Sequence, residues 1–298
     1  MRIAVTTPTG NIGKVVASRL LAAGAHVTLL ARHPEKVKEF ADRGAMVLQG
    51  SLDDKHFVVK ATQGIDALFW LTPLDFPSRD FRGRFNRMGQ AAAAAVRANR
   101  IPRVVHLSGA GAHLASGPGP IPGLHDVEQR LDDVVDHVTH LRPFFFFENF
   151  LLQLEPLKNL GRLCLPVSGS VRIGMVATRD IGDMAAFRLL DHTWTGRAVQ
   201  GLHGPSDLSF DEAAEEIGRG LDRPVFHVRV PEAQARQAMH ASGLNEHLTE
   251  AFLEILQAIE SGLLRPAEAR TADTTTPTTI EEFARDVLRP LVSEPVMA

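Results

Sequence analysis

Residues 1–13 read Met1-Arg2-Ile3-Ala4-Val5-Thr6-Thr7-Pro8-Thr9-Gly10-Asn11-Ile12-Gly13. An apolar run, Ile3 to Val5, enters a turn that closes on Gly10 and Gly13, and an apolar helical spacing follows through Val15, Val16, Leu20 and Leu21. A strand, a tight turn and a helix in this order open a dinucleotide-binding fold. The turn aims backbone N–H groups at an anion, and the helix dipole adds to their pull. Gly10 and Gly13 allow close approach of a diphosphate and close helix–sheet packing. Thr7 stands where the usual first glycine would be, so Thr7-Pro8 predicts a stiffer phosphate loop, with the hydroxyls of Thr7 and Thr9 as added donors.

The rest of the first half alternates in the same way. Strands are expected at Ala25–Leu30, Ala45–Leu48, Ala67–Leu71, Arg103–Leu107 and Val138–Leu141. Helices are expected over 13–23, 34–43, 54–62, 85–99 and 127–135, with Pro34 in a first helical turn. Alternating strands and helices predict a parallel sheet covered on both faces, an α/β Rossmann-type doubly wound sheet. A closed eight-stranded barrel is disfavoured because the alternation breaks near residue 150.

Beyond that point the pattern is irregular. A helix over 149–160 carries Pro156 as a kink or break. Strands are expected over 171–176, 198–201 and 225–230, and helices over 181–190, 210–221 and 232–260. A threonine-rich loop spans 271–279, and a last helix is capped by Thr279 with Glu282 in a capping box. The division expected is 1–150 for the NAD(P)-binding domain, its sheet completed by segments near 171–202, and 151–298 for a smaller mixed α/β lobe that binds substrate or partner.

Composition narrows the function. The chain has 298 residues, 44% of them hydrophobic, enough for a large core and a second lobe. A net charge of -3 without a basic stripe argues against nucleic acid. The single cysteine, Cys164, precludes an internal disulfide and reads as core. No run reaches the roughly 18 apolar residues of a membrane span, and no secretory signal is visible, so a cytoplasmic protein is expected, with no metal.

The second strand chooses between dinucleotides. A site for NAD usually places an acid about twenty residues after the glycines, on the ribose 2′-hydroxyl. Here the strand ends in Arg32, followed by His33 and Lys36. A guanidinium suits a 2′-phosphate through paired charge-assisted bonds, so NADP (NADPH) is the expected cofactor.

Taken together, these segments resemble the NmrA-like family of the atypical short-chain dehydrogenase/reductase group. Val5 to Gly13 is similar to its opening, with Thr7 for the first glycine. Ala31-Arg32-His33-Pro34-Glu35-Lys36 is similar to its basic loop, and Gly50-Ser51-Leu52-Asp53-Asp54 to its GDLxD segment, with Ser51 for the acid. Further matches are Arg103 to Ser108, Leu141-Arg142-Pro143-Phe144 with Glu148-Asn149-Phe150, Asp180 to Asp183, and Gly201 to Pro205. The resemblance implies NADP binding by the N-terminal lobe and a variable pocket beneath the C-terminal one. The family holds quinone and isoflavone-type reductases and also redox-sensing regulators.

The wider group reduces carbonyls with a Ser, a Tyr and a Lys, but this chain has no tyrosine. Ser108 matches the serine. His125 and Gln129 stand where tyrosine and lysine would be, and His125 is the candidate proton donor. The expected cofactor contacts are Thr7, Thr9, Gly10, Asn11, Ile12, Gly13, Arg32, Lys36, Leu71, Thr72, Pro73, Ser108, Pro143 and Phe144. Leu74, Phe76, Phe146, Phe147, Asn149 and Phe150 are the expected substrate contacts, with plain core as the competing role of the phenylalanines. Glu128 and Asn149 stand out as polar groups near apolar runs, with helix capping or hydrogen bonding between lobes as their competing role. An NADP-binding oxidoreductase is expected to pass hydride to a small apolar or aromatic acceptor such as a quinone; the alternative is a non-catalytic redox sensor acting through a protein partner.

Overall fold

The structure, a computed structural model, describes residues 1–74 and 80–293. Contacts divide the chain into two units, Met1–Arg142 with Ile181–Gln200, and Pro143–Asp180 with the segment from Gly201 onward.

In the first unit, β1 (Arg2–Thr6), α1 (Asn11–Ala22), β2 (His26–Ala31), α2 (Lys38–Asp42), β3 (Met46–Gln49), α3 (Lys55–Ala61), β4 (Ala67–Leu71), α4 (Phe81–Asn99), β5 (Arg103–Leu107), α5 (Ile121–Asp132) and β6 (His137–Pro143) follow in order. The chain then runs through β7 (Phe145–Phe146), α6 (Leu154–Leu160), β8 (Arg162–Leu165), β9 (Arg172–Val176), α7 (Thr178–Leu190) and β10 (Arg197–Leu202). Among the described residues the main sheet has seven strands, ordered β10-β6-β5-β4-β1-β2-β3. Its first six strands in chain order pair in parallel and carry the 3-2-1-4-5-6 order of a Rossmann sheet. The order reverses between β1 and β4, and ligands bind outside the carboxyl ends of strands at such a point.

Near-continuous burial along β1, β4, β5 and β6 shows that both faces are covered. One helical layer joins α3, α4 and α5. Asn99 of α4 donates to the Val59 carbonyl, and Gly123 of α5 leaves room for the Phe85 ring. In the other layer, a side chain on Gly182 of α7 would start 2.6 Å from Val15 of α1, and Arg19 of α1 pairs with Asp183 at 2.6 Å.

In the second unit, β9 pairs with β7 and β11 (Asp207–Ser209) in a sheet of its own. Of the segments expected to complete the main sheet, only β10 joins it. α8 (Phe210–Gly220) follows β11, and β12 (Phe226–Arg229) runs parallel to β8. The expected helix over 232–260 is two, α9 (Glu232–Ala241) and α10 (Glu246–Glu260), broken where Gly243 takes a φ of 92°. The expected helix over 149–160 is divided, a 3₁₀ helix over Phe147–Gln153 giving way to α6 two residues before Pro156. Pro156 is the third residue of α6, in the first turn, where its missing N–H leaves no bond unmade. The capping box of Thr279 and Glu282 opens α11 (Ile280–Phe283). β7, β8 and β11 are too short for alternation to reveal. α5 begins six residues before its expected start, with Pro122 accommodated in its first turn.

Candidate active site at the carboxyl edge of the sheet

The turn after β1 is built as its glycines require. Thr7 takes a φ of 49°, a left-handed conformation in which a β-branched residue is an outlier. The Thr7 carbonyl accepts from Gly10 N–H at 3.1 Å. A side chain on Gly13 would start 2.1 Å from that carbonyl, whereas one on Gly10 would meet only the same oxygen at 3.6 Å. Gly13 therefore serves packing, and Gly10 leaves the outside of the turn open. Thr9, Gly10 and Asn11 are exposed, while the Ile12 side chain is buried.

Gly10 caps α1 without a side-chain bond, and the helix has no acid in its first turn. Its leading N–H groups are thus disposed toward an anion. The Asn11 side chain accepts from Lys14 at 3.3 Å, which adds a cation that the sequence reading did not include. The Thr7 hydroxyl oxygen is buried without a hydrogen-bond partner among the described residues. An uncapped helix start, an open glycine and a nearby lysine fit a dinucleotide diphosphate.

Thr6 pairs with Leu30, so Arg32 emerges beside this turn on the adjacent strand. Arg32 and Lys36 are exposed, and His33 faces Glu35 at 3.3 Å. After β3, the Ser51 hydroxyl donates to Asp53 at 2.5 Å and, with Arg84 3.5 Å away, holds its carboxyl below the usual range.

Two rows of side chains cross β4, β5 and β6. Trp70 pairs with His106, and His106 with His140. Two residues further on stand Thr72, Ser108 and Arg142, at the carboxyl edge. The Ser108 N–H donates to the Leu141 carbonyl at 2.9 Å, while its buried hydroxyl has no partner among the described residues. Arg142 meets Glu128 of α5 through two bonds of 2.9 and 2.5 Å, both side chains buried. Glu128 thus pairs with Arg142 inside the first unit and does not cap its helix.

His106 Nδ1 lies 3.0 Å from His140 Nδ1, and His140 Nε2 lies 3.2 Å from Asp132. Burial first, and then His140 and Arg142, push the His106 pKa well below 6.5. This pair escaped the sequence reading, although His-Leu-Ser and His-Leu-Arg at the ends of two neighbouring strands were its signal.

His125 is the fifth residue of α5, not its cap, and its Nδ1 donates to the Ala112 carbonyl at 2.9 Å. Leu71 and Pro73 are half-buried and Leu74 is exposed; Phe76 lies outside the described residues. Pro143 to Phe150 belong to the second unit. There Pro143 is buried and Phe144, Phe146 and Asn149 are half-buried. Phe147 and Phe150, expected to touch substrate, are 1% and 0% exposed. Their rings pack 5.6 Å from Phe283 and Phe145, respectively, inside that unit's core. Their apolar area is used in packing, which is the competing role the sequence allowed. Among the described residues, no cluster of three or more His, Cys, Asp or Glu is set to hold a metal, and no helix is long and apolar enough to cross a membrane.

The NAD(P)H azoreductase of Xenophilus azovorans is 28% identical over 253 residues, covering 85% of each chain. Quinone oxidoreductase 2 of Escherichia coli (strain K12) is 24% identical over 255 residues, covering 85% of this chain and 86% of that one. The crystal structure of Citrobacter sp. triphenylmethane reductase complexed with NADP(H) superposes with a TM-score of 0.81 at 21% identity, over 96% of this chain and 99% of that one. Residues 1–284 match the NmrA-like family, and with this turn, this strand order and these relatives the chain belongs to it.

Proposed function

We propose that the protein is an NADPH-dependent reductase that passes hydride to a small apolar or aromatic acceptor, such as a quinone. The observation that carries this reading is the uncapped start of α1 with Gly10 open above it and Arg32 beside it. The N–H groups there would hold the diphosphate, and Arg32 with Lys36 the 2′-phosphate. The names of the azoreductase and quinone oxidoreductase relatives support both the cofactor and the acceptor class.

When bound, the dinucleotide supplies hydride. The chain supplies position and polarity around it. No Tyr-x-x-x-Lys pair takes part, since the sequence has no tyrosine. Ser108 offers a hydroxyl at the sheet edge. His125 uses its Nδ1 hydrogen on Ala112, so it gives a proton only as imidazolium, through Nε2. A quinone or azo acceptor tolerates this sparse acid–base set, because much of the driving force lies in the acceptor.

The lack of tyrosine also favours a second reading, a dinucleotide sensor that turns nothing over. Titration with NADPH and NADH, followed by NADPH oxidation against quinones, enones and azo dyes, separates the two. The reductase reading expects tight NADPH binding and turnover on part of the panel. Tight binding without turnover selects the sensor.

A further inference from the structure

Trp70, His106 and His140 occupy paired positions on three adjacent strands, and backbone alternation places Thr72 and Ser108 on the same face one step nearer the carboxyl edge. Thr72 is 6% exposed and Ser108 is 7% exposed. The fully buried Trp70 donates its indole N–H to the Thr72 hydroxyl oxygen at 3.2 Å. An indole N–H is a donor only, so Thr72 is the acceptor in that bond and its own hydrogen is directed elsewhere. On the neighbouring strand's end, the buried Ser108 hydroxyl has no hydrogen-bond partner among the described residues. Buried hydroxyls are normally satisfied, so a buried Ser108 hydroxyl left over on the face that also carries Thr72 marks a place built for a ligand oxygen.

We propose that Thr72, its hydroxyl oriented by Trp70, donates a hydrogen bond to the oxygen of a conjugated carbonyl acceptor, with Ser108 as the second donor. The proposal rests on the reductase reading and narrows its acceptor class. When hydride adds to a quinone or enone, the electron pair displaced from the π system settles on oxygen. The oxidised dinucleotide is the other product, and the oxygen afterwards takes one proton from water. Donors fixed where that negative charge develops lower the barrier. In a chain without tyrosine, two hydroxyls on one face supply the polarity that a phenol would otherwise give. Thr72 is then a catalytic residue and Trp70 a positioning residue.

The test compares two acceptors. A quinone develops an oxyanion; a cationic triarylmethane dye takes hydride at carbon and develops none. Thr72→Val lowers the quinone-to-dye rate ratio at least about tenfold, less than the roughly hundredfold loss of a sole oxyanion donor because Ser108 remains. Thr72→Ser restores the ratio, and Trp70→Phe, which keeps a ring but drops the N–H, lowers it by a smaller factor. A ratio that holds in Thr72→Val overturns the proposal. Thr72→Ala replaces it in the comparison should the valine variant not fold. A second readout needs no turnover: p-nitrophenolate, titrated by absorbance into protein mixed with NADP+, binds Thr72→Val several-fold more weakly, and equal affinity overturns the proposal. Should the native chain reduce neither acceptor, the reductase reading fails, and the phenolate titration alone decides what the hydroxyl does.

Discussion

The carbonyl oxygen of Thr7 stands 2.1 Å from where a side chain on Gly13 would begin, so the start of the phosphate turn closes against its own end. Gly13→Ala forces backbone apart and is expected to cost about 1–3 kcal/mol and to weaken dinucleotide binding with it. Thr7→Gly works the other way. It removes a left-handed β-branched residue, worth about 1–2 kcal/mol, and offsets part of that by loosening the unfolded chain by about 0.5–1 kcal/mol. A net rise in melting temperature of a few degrees is expected. A fall would mean that the Thr7 side chain contributes more than its backbone conformation costs.

Arg32 discriminates between the two dinucleotides. Removing a charge-assisted pair of bonds to a 2′-phosphate costs about 1.5–3 kcal/mol, or roughly ten- to a hundred-fold in affinity. Arg32→Ala is expected to weaken NADPH by that factor and NADH by little. Calorimetric titration with both decides it, and equal losses would sink the assignment of Arg32 to the 2′-phosphate.

The parts of the site that were legible in the sequence are those written in local backbone chemistry. Gly10 and Gly13 mark a turn, Arg32 ends a strand, and Thr279 with Glu282 announces a helix start. Each signal lies within a few residues of its consequence. The contacts that escaped depend on register between strands or on which face of a helix meets the sheet. Arg142 finds Glu128, and His106 finds His140, because β5 and β6 run side by side under α5. Nothing within a few residues of Arg142 announces that partner. The run Phe144 to Phe147 shows the limit from the other side. Composition marked it as apolar, but only the fold separates Phe147, packed on Phe283, from the half-buried Phe146.

Arg142 and Glu128 form a fork-to-carboxylate pair with 8% and 3% of their side chains exposed. Breaking such a pair from one side leaves a buried charge alone, at about 3–5 kcal/mol. Glu128→Ala is expected to lose that much in chemical denaturation. The double change Glu128→Met with Arg142→Met is expected to recover most of it, since an apolar replacement removes both desolvated charges. A double variant as unstable as the single one would show that the pair holds the edge of β6 by geometry, not by charge balance.

His106 makes the fold sensitive to acid. If Asp132 accepts from His140 Nε2, then His140 Nδ1 accepts from His106 Nδ1–H, and His106 Nε2 is left bare and buried. Protonation of His106 would add a buried Nε2–H with no acceptor among the described residues. Burial first, then His140 and Arg142, hold its pKa well below 6.5 in the folded protein, whereas the unfolded chain takes up the proton near 6.5. The unfolded state therefore binds more protons below 6.5, and stability falls as pH drops from 6.5 toward the folded value; above 6.5 the contribution is complete. His203 and His227, also depressed chiefly by burial, act in the same direction in the second unit. Melting temperatures from pH 8 to 5 are thus expected to hold level and then fall. His106→Asn, which retains a donor toward His140, is expected to flatten that fall in part. An unchanged slope would place the acid sensitivity in the second unit's histidines instead.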